Sequence, residues 1–170
     1  MGVIIAVLLI IEVLLIVSIR SYYYSSVRQY LSSKMNVITG SILNEKDQTV
    51  NYNSEIRSLV AGYADNDKIE LMAINSTGEV DITSSGFKPI EKEFADLENA
   101  KNSANGSGYE VYRTSTGEKV LAFTSVFSVR GCEYEALRMI VSLSEIDRKV
   151  LSFAVIITLI GVLIILIVFF

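Results

Sequence analysis

The chain has 170 residues, 51% of them hydrophobic, with 15 Lys and Arg against 19 Asp and Glu, a formal charge of −4. It has no histidine and one cysteine, Cys132, which excludes an intrachain disulfide, His-based catalysis and the commonest metal ligand. A mildly acidic chain without a basic cluster offers no electrostatic footprint for nucleic acid.

The hydrophobic excess sits at the two ends. Met1 to Ile19 (MGVIIAVLLIIEVLLIVSI) holds one charge, Glu12, and Leu151 to Phe170 (LSFAVIITLIGVLIILIVFF) holds none. About 20 apolar residues in a helix cross a hydrocarbon core of ~30 Å. Both runs are expected to be transmembrane helices. The first lacks the basic n-region and small-residue cleavage site of a signal peptide. The second is apolar all round, unlike a core helix with one buried face. Three segments follow: transmembrane helix 1 at 1–19, a soluble domain at 20–150, and transmembrane helix 2 at 151–170. The domain holds every Lys and Arg and every acid except Glu12.

A carboxyl near a bilayer centre is expensive and marks a functional position by default, so Glu12 is a candidate intramembrane polar contact. The basic flanks Arg20, Arg28, Arg148 and Lys149 lie on the domain side of both runs, which taken alone places the domain inside the cell. Long domains, however, cross membranes largely regardless of charge. The apolar run stops at Phe170 without a flank, as expected of a piece of a longer protein. The expectation is therefore a two-pass protein of the bacterial cell membrane with its central domain extracytoplasmic.

From Arg20 to Leu43 there is no proline and no glycine before Gly40. Tyr24, Val27, Leu31, Met35, Ile38 and Ile42 recur at steps of three and four, one helical stripe. Nothing breaks the chain between this stretch and the first apolar run, so one long rod is predicted. Its second face suits a parallel partner helix in a homodimer. Asn44 to Asn53 reads as a polar loop. Ser54 reads as the N-cap of a short helix through Ala64, with Arg57 where an acid would complete a capping box. Asp65-Asn66-Asp67 reads as a turn.

Ile69 to Ile74 and Glu79 to Thr83 are predicted strands, joined through Asn75-Ser76-Thr77-Gly78 as a hairpin. Ser84-Ser85-Gly86 ends it. Pro89, the only proline, is expected at the first position of a helix running to about Asn102, with Phe94, Leu97 and Ala100 or Lys101 on one side. After a small-polar loop, three strands close the domain: Tyr109 to Thr114, Lys119 to Val129 and Tyr134 to Leu143. In the middle one Leu121, Phe123, Ser125 and Phe127 alternate with Val120, Ala122, Thr124 and Val126. Both faces are apolar enough for cover on both sides. Ser144 starts an exit helix into the second apolar run. The pattern is α+β, with a five-stranded antiparallel sheet, a long N-terminal helix and other helices mainly on one face.

The hairpin from Ile69 through Val80 (IELMAINSTGEV) and the hairpin from Gly108 to Val129 (GYEVYRTSTGEKVLAFTSVFSV) resemble the strand pairs of a single Cache, or PAS-like, domain. With the flanking helices, the layout is similar to the extracytoplasmic sensor region of bacterial two-component sensor histidine kinases. The resemblance covers nearly the whole chain and rests on layout. Methyl-accepting chemoreceptors share that layout. It implies signal transduction: a ligand or partner at the sheet shifts the exit helix, and a cytoplasmic output lies beyond this chain. It implies no cofactor, and the full-length protein would be a histidine kinase although this stretch carries no catalytic residue. It also implies a ligand pocket between the sheet and the helix and loop before the third strand. Candidate ligand-binding residues there are Tyr109, Tyr112, Arg113, Phe123 and Ser125, with Ser84, Ser85 and Phe87 on the facing loop. Arg113 would pair with a carboxylate through its planar fork.

No His, GxSxG, Walker loop, CxxC or paired-acid motif supports an enzyme in this stretch. Two sequons, at Asn75 and Asn105, matter only in a eukaryotic secretory protein. The competing class is a membrane-anchored domain that binds another protein and no small molecule. A lined cavity favours the sensor; a filled core with an exposed apolar patch favours the adaptor.

Overall fold

The computed structural model describes residues 2–43, 51–64, 69–90 and 93–169. Among the described residues, four helices and five strands run in the order α1 (Gly2–Leu43), α2 (Tyr52–Ala61), β1 (Glu70–Asn75), β2 (Val80–Thr83), α3 (Ala95–Lys101), β3 (Ser107–Arg113), β4 (Lys119–Val126), β5 (Tyr134–Ser142) and α4 (Ser144–Phe169). The chain forms two compact units: residues 28–143, and residues 1–27 together with 144–170.

In the first unit the strands form one antiparallel sheet, ordered β2-β1-β5-β4-β3. The α+β class, the five-stranded antiparallel sheet and the long N-terminal helix expected from the sequence are all present. β4 lies inside the sheet, and Val120, Leu121, Ala122, Phe123 and Thr124 are all buried, so both of its faces are covered. On one face Met72, Ile74, Val80 and Ala136 cluster with Phe94 and Leu97 from the α3 segment. On the other, α1 residues share a cleft with Tyr109 and Phe123, and Leu31, Met35 and Ile42 of the predicted stripe are buried. α3 and α1 thus occupy opposite faces, where the sequence pattern had placed helices mainly on one.

Three local expectations differ. The cap of α2 is Asn51, whose Oδ1 accepts the Ser54 N–H, three residues before the expected Ser54. α2 ends at Ala61 with Gly62 as C-cap, so it does not reach Ala64. α3 begins at Ala95, not at Pro89. Phe94 is extended (φ −123°, ψ 105°) and buried, and seating that ring in the core holds the backbone out of the helix until the next residue. The predicted loop over Asn44 to Asn53 falls mostly, and the Asp65-Asn66-Asp67 turn wholly, outside the described residues.

Among the described residues two helices, α1 and α4, are long and apolar enough to cross a membrane; the second unit holds α1 as far as Val27 and all of α4. α1 is continuous over 42 residues, as the unbroken sequence predicts.

Candidate functional site

The site starts at a glycine. Gly108 is buried in β3, and a side chain there would run into the backbone of Asp96, Asn99 and Ala100. Only a residue without Cβ lets α3 lie backbone-to-backbone on the sheet. That seating carries Asp96, in the first turn of α3, into the interior.

Asp96 meets Arg138 of β5, and both side chains are essentially fully buried (0% and 1% exposed). The pairing is a two-pronged fork: Nε donates to Oδ2 at 2.8 Å and Nη2 to Oδ1 at 2.9 Å. Thr124 of β4 donates its hydroxyl to the same Oδ2. Thr124 and Arg138 are cross-strand neighbours in the β4–β5 register, which is why both reach one carboxylate. Arg138 Nη2 also lies 3.3 Å from the Tyr112 hydroxyl. The guanidinium sits 4.2 Å from the ring centre of Phe94 and 5.6 Å from that of Tyr112. Burial lowers the pKa of Arg138, and the Asp96 bonds more than offset it, so the group is held above its ordinary value. It is a fixed cation.

One end of that cation is left over. Among the described residues Arg138 Nη1 is buried and has no hydrogen-bond partner. An unpaired N–H of a buried ion is costly, so such a group marks a position that something else completes. Arg138 lines a cavity of about 810 Å³ together with Tyr112, Phe94, Leu97 and Asn99. Glu93, Glu98, Glu110 and Lys101 also line it. Lys101 is committed to Glu135 at 2.8 Å. The cavity is thus lined by one buried guanidinium and by several carboxylates.

A second cleft, of about 500 Å³, lies on the α1 face of the sheet. Arg28, Gln29, Ser32 and Ser33 of α1 line it with Ser103, Asn105, Ser107, Tyr109 and Phe123. The Arg28 guanidinium stacks 4.6 Å from the Tyr109 ring centre.

The structure divides the residues singled out from the sequence. Tyr112 lines the larger cavity, while Tyr109 and Phe123 line the smaller cleft on the opposite face. Ser125 follows Phe123 on the strand by two and so shares its face. Arg113, at the end of β3, is exposed and donates from Nη1 to the Gly117 carbonyl at 3.0 Å, closing its own hairpin turn. Ser84 Oγ accepts the Leu71 N–H at 3.0 Å, and Ser85 bonds Glu70 and the Phe87 N–H. Phe87 is 81% exposed. None of Ser84, Ser85, Phe87 and Arg113 lines either hollow.

The arginine in the cavity is Arg138, which sequence reading passed over together with Asp96. A signal existed: Arg138 interrupts the otherwise apolar run Ala136-Leu137-Arg138-Met139-Ile140-Val141. A charge in such a strand has to be paired.

Two further groups bear on reactivity. Cys132 is a free, half-buried thiol in the turn before β5; burial pushes its pKa up, against a backbone bond at Tyr134 that lowers it. Tyr134 is raised by burial and by its hydrogen bond to Asp81 at 2.8 Å. In the second unit, Glu12 lies against Gly161.

No protein-family model matches the sequence. No curated protein matches it. Among solved structures, the chain is similar to the ligand-binding domain of the Pseudomonas fluorescens chemoreceptor CtaA in complex with L-leucine. Identity there is 15% and the TM-score 0.47, covering 76% of this chain and 60% of that one. It is also similar to the ligand-binding domain of the Pseudomonas aeruginosa amino acid chemoreceptor PctC in complex with GABA. Identity is 19% and the TM-score 0.43, covering 74% of this chain and 59% of that one. This chain spans about three fifths of the length of each.

Proposed function

We propose that this chain is the sensor region of a two-pass membrane receptor, with the domain at 20–150 outside the cytoplasm, and that a small ligand bearing a carboxylate binds in the α3-side cavity. The observation that carries the reading is Arg138, which lines a cavity large enough for a metabolite and whose buried Nη1 has no partner among the described residues. Asp96 already holds the Nε side of the fork, so a ligand carboxylate is left the Nη1 edge and the Tyr112 hydroxyl beside it. Glu93, Glu98 and Glu110 favour a ligand with a positive group at its other end.

The output would be a histidine kinase, with a methyl-accepting chemoreceptor as the second reading, and the receptor would act as a homodimer. The domain layout serves either. A kinase catalytic region encoded beyond Phe170 decides for the first, a methyl-accepting signalling region for the second, and a stop codon there sinks both.

The test is a thermal-shift screen of the chain in lipid nanodiscs against amino acids, organic acids, sugars, metal ions and peptides. A ligand that binds only the folded state raises the midpoint in proportion to log concentration. The expected hit carries a carboxylate, and its shift falls in Tyr112→Phe and disappears in Arg138→Gln. A panel without a hit sinks the solute-sensor reading and leaves a protein partner.

A further inference from the structure

The unit formed by residues 1–27 and 144–170 is held at two polar points. At the first, the Tyr24 hydroxyl donates to Asp147 Oδ1 at 2.6 Å. Arg20 Nε stands 3.8 Å from the same oxygen, and its Nε and Nη2 both donate to the Tyr24 hydroxyl. At the second, the Glu12 carboxyl occupies the space beside Gly161. A Cβ added to Gly161 would collide with Glu12 Oε1. Gly161 is buried, while its neighbours Ile160 and Val162 are 53% and 49% exposed. The carboxyl fills a notch that exists because residue 161 has no side chain.

The spacing ties the two points together. Glu12 and Tyr24 are twelve residues apart on α1, and Asp147 and Gly161 fourteen apart on α4. At 1.5 Å per residue these are separations of about 18 and 21 Å. The later residue of α1 meets the earlier residue of α4, so the helices run antiparallel and both contacts are made in one register. A slide of one turn, about 5.4 Å, breaks both. Small residues let helices in lipid approach closely, and hydrocarbon supplies no competing partner for a carboxyl.

We propose that Glu12 and Gly161 form a polar notch that sets the register of α1 against α4, with Arg20, Tyr24 and Asp147 as its second catch. The proposal rests on the membrane-crossing reading for its setting. It gives the receptor a defined resting position from which a signal must displace α4.

The experiment measures one distance. In the full chain with Cys132→Ser, spin labels are placed through Val3→Cys and Leu151→Cys, at positions 76% and 65% exposed. The chain is set in nanodiscs of phosphatidylethanolamine and phosphatidylglycerol and diluted with unlabelled copies, so that only intrachain distances are read. The parent gives one narrow peak. Glu12→Leu and Gly161→Leu each move that peak by several ångström, up to about one turn, or split it. Glu12→Gln, which keeps shape and hydrogen bonding, leaves it in place. An unmoved peak in either leucine variant overturns the proposal. A Glu12→Gln shift as large as that of Glu12→Leu overturns it too. Alkaline extraction of native membranes is the separate check on the setting: release of the parent chain refutes the membrane reading, while the register result, repeated in detergent micelles, still stands or falls alone.

Discussion

Replacing Asp96 with alanine isolates what holds the α3-side cavity open. The carboxylate accepts three hydrogen bonds, from Thr124 Oγ1, Arg138 Nε and Arg138 Nη2. Removing it strands a guanidinium that is 1% exposed and already has Nη1 unpaired, leaving it Tyr112 and the two aromatic rings. Losing one partner of a buried pair costs about 3–5 kcal/mol, most of it the uncompensated charge. Domains of this size are stable by only about 5–15 kcal/mol, so the loss is a large share of the whole. The double variant Asp96→Ala with Arg138→Met removes the stranded charge as well, so its loss should be smaller than that of Asp96→Ala alone. Pulse proteolysis in urea, on chain held in nanodiscs, reads both. With a urea slope of roughly 1–3 kcal/mol per molar, the single variant moves the midpoint down by about 1–5 M. The double variant recovers at least half of that shift. A single-variant loss under about 1 kcal/mol, or a double variant as unstable as the single, would mean the pair is not the buried anchor described here.

Gly108→Ala forces α3 away from β3, because the obstructing atoms are backbone; a cost of about 1–3 kcal/mol is expected, with faster hydrogen exchange confined to peptides of α3 and β3. An unchanged exchange pattern refutes the close seating. Tyr134→Phe removes the buried hydroxyl bonded to Asp81, for a loss of about 0.5–1.5 kcal/mol in the same proteolysis assay. Cys132 should alkylate with iodoacetamide more slowly in the folded chain than in urea, since burial raises its pKa and the thiolate is the reactive form. The gap narrows as pH rises through the folded value. The stability linked to that raised pKa is present below the unfolded thiol's pKa and is lost over the same rise. Equal rates across the whole range would contradict the burial.

What could be read from the sequence was what neighbouring residues decide. The stripe of α1 survives as buried Leu31, Met35 and Ile42 because helical periodicity is set within a few turns. The double alternation of β4 announced cover on both faces because each set was apolar on its own. The errors lie where a distant contact overrules a local preference. Pro89 is a good helix starter, yet the buried Phe94 ring keeps α3 waiting until Ala95. The cavity pair was the least visible in the sequence. Asp96 and Arg138 are 42 residues apart and meet only because β5 inserts between β1 and β4, a pairing that neither hairpin reveals. Arg113 was a candidate because the resemblance places the pocket near β3 and its planar fork suits a carboxylate. In a strand, though, neighbours point to opposite faces, and Arg113 went to the side away from Tyr112.

That geometry also bears on how a signal leaves the domain. Arg138 stands on β5, which ends at Ser142, and α4 begins at Ser144, so one residue separates that strand from the helix. That residue, Leu143, is fully buried and donates its N–H to the Lys119 carbonyl at 2.8 Å, extending the β4–β5 ladder to the last position before the helix. A ligand that completes Nη1 draws on a side chain whose other nitrogens are fixed to α3. Any adjustment must therefore be shared between α3 and β5, and β5 is the one continuous with α4. Under the proposed function, ligand chemistry at a single guanidinium edge is what would be passed along the chain from β5 to α4. For the receptor to respond, the ligand must bind one position of that strand more tightly than the other.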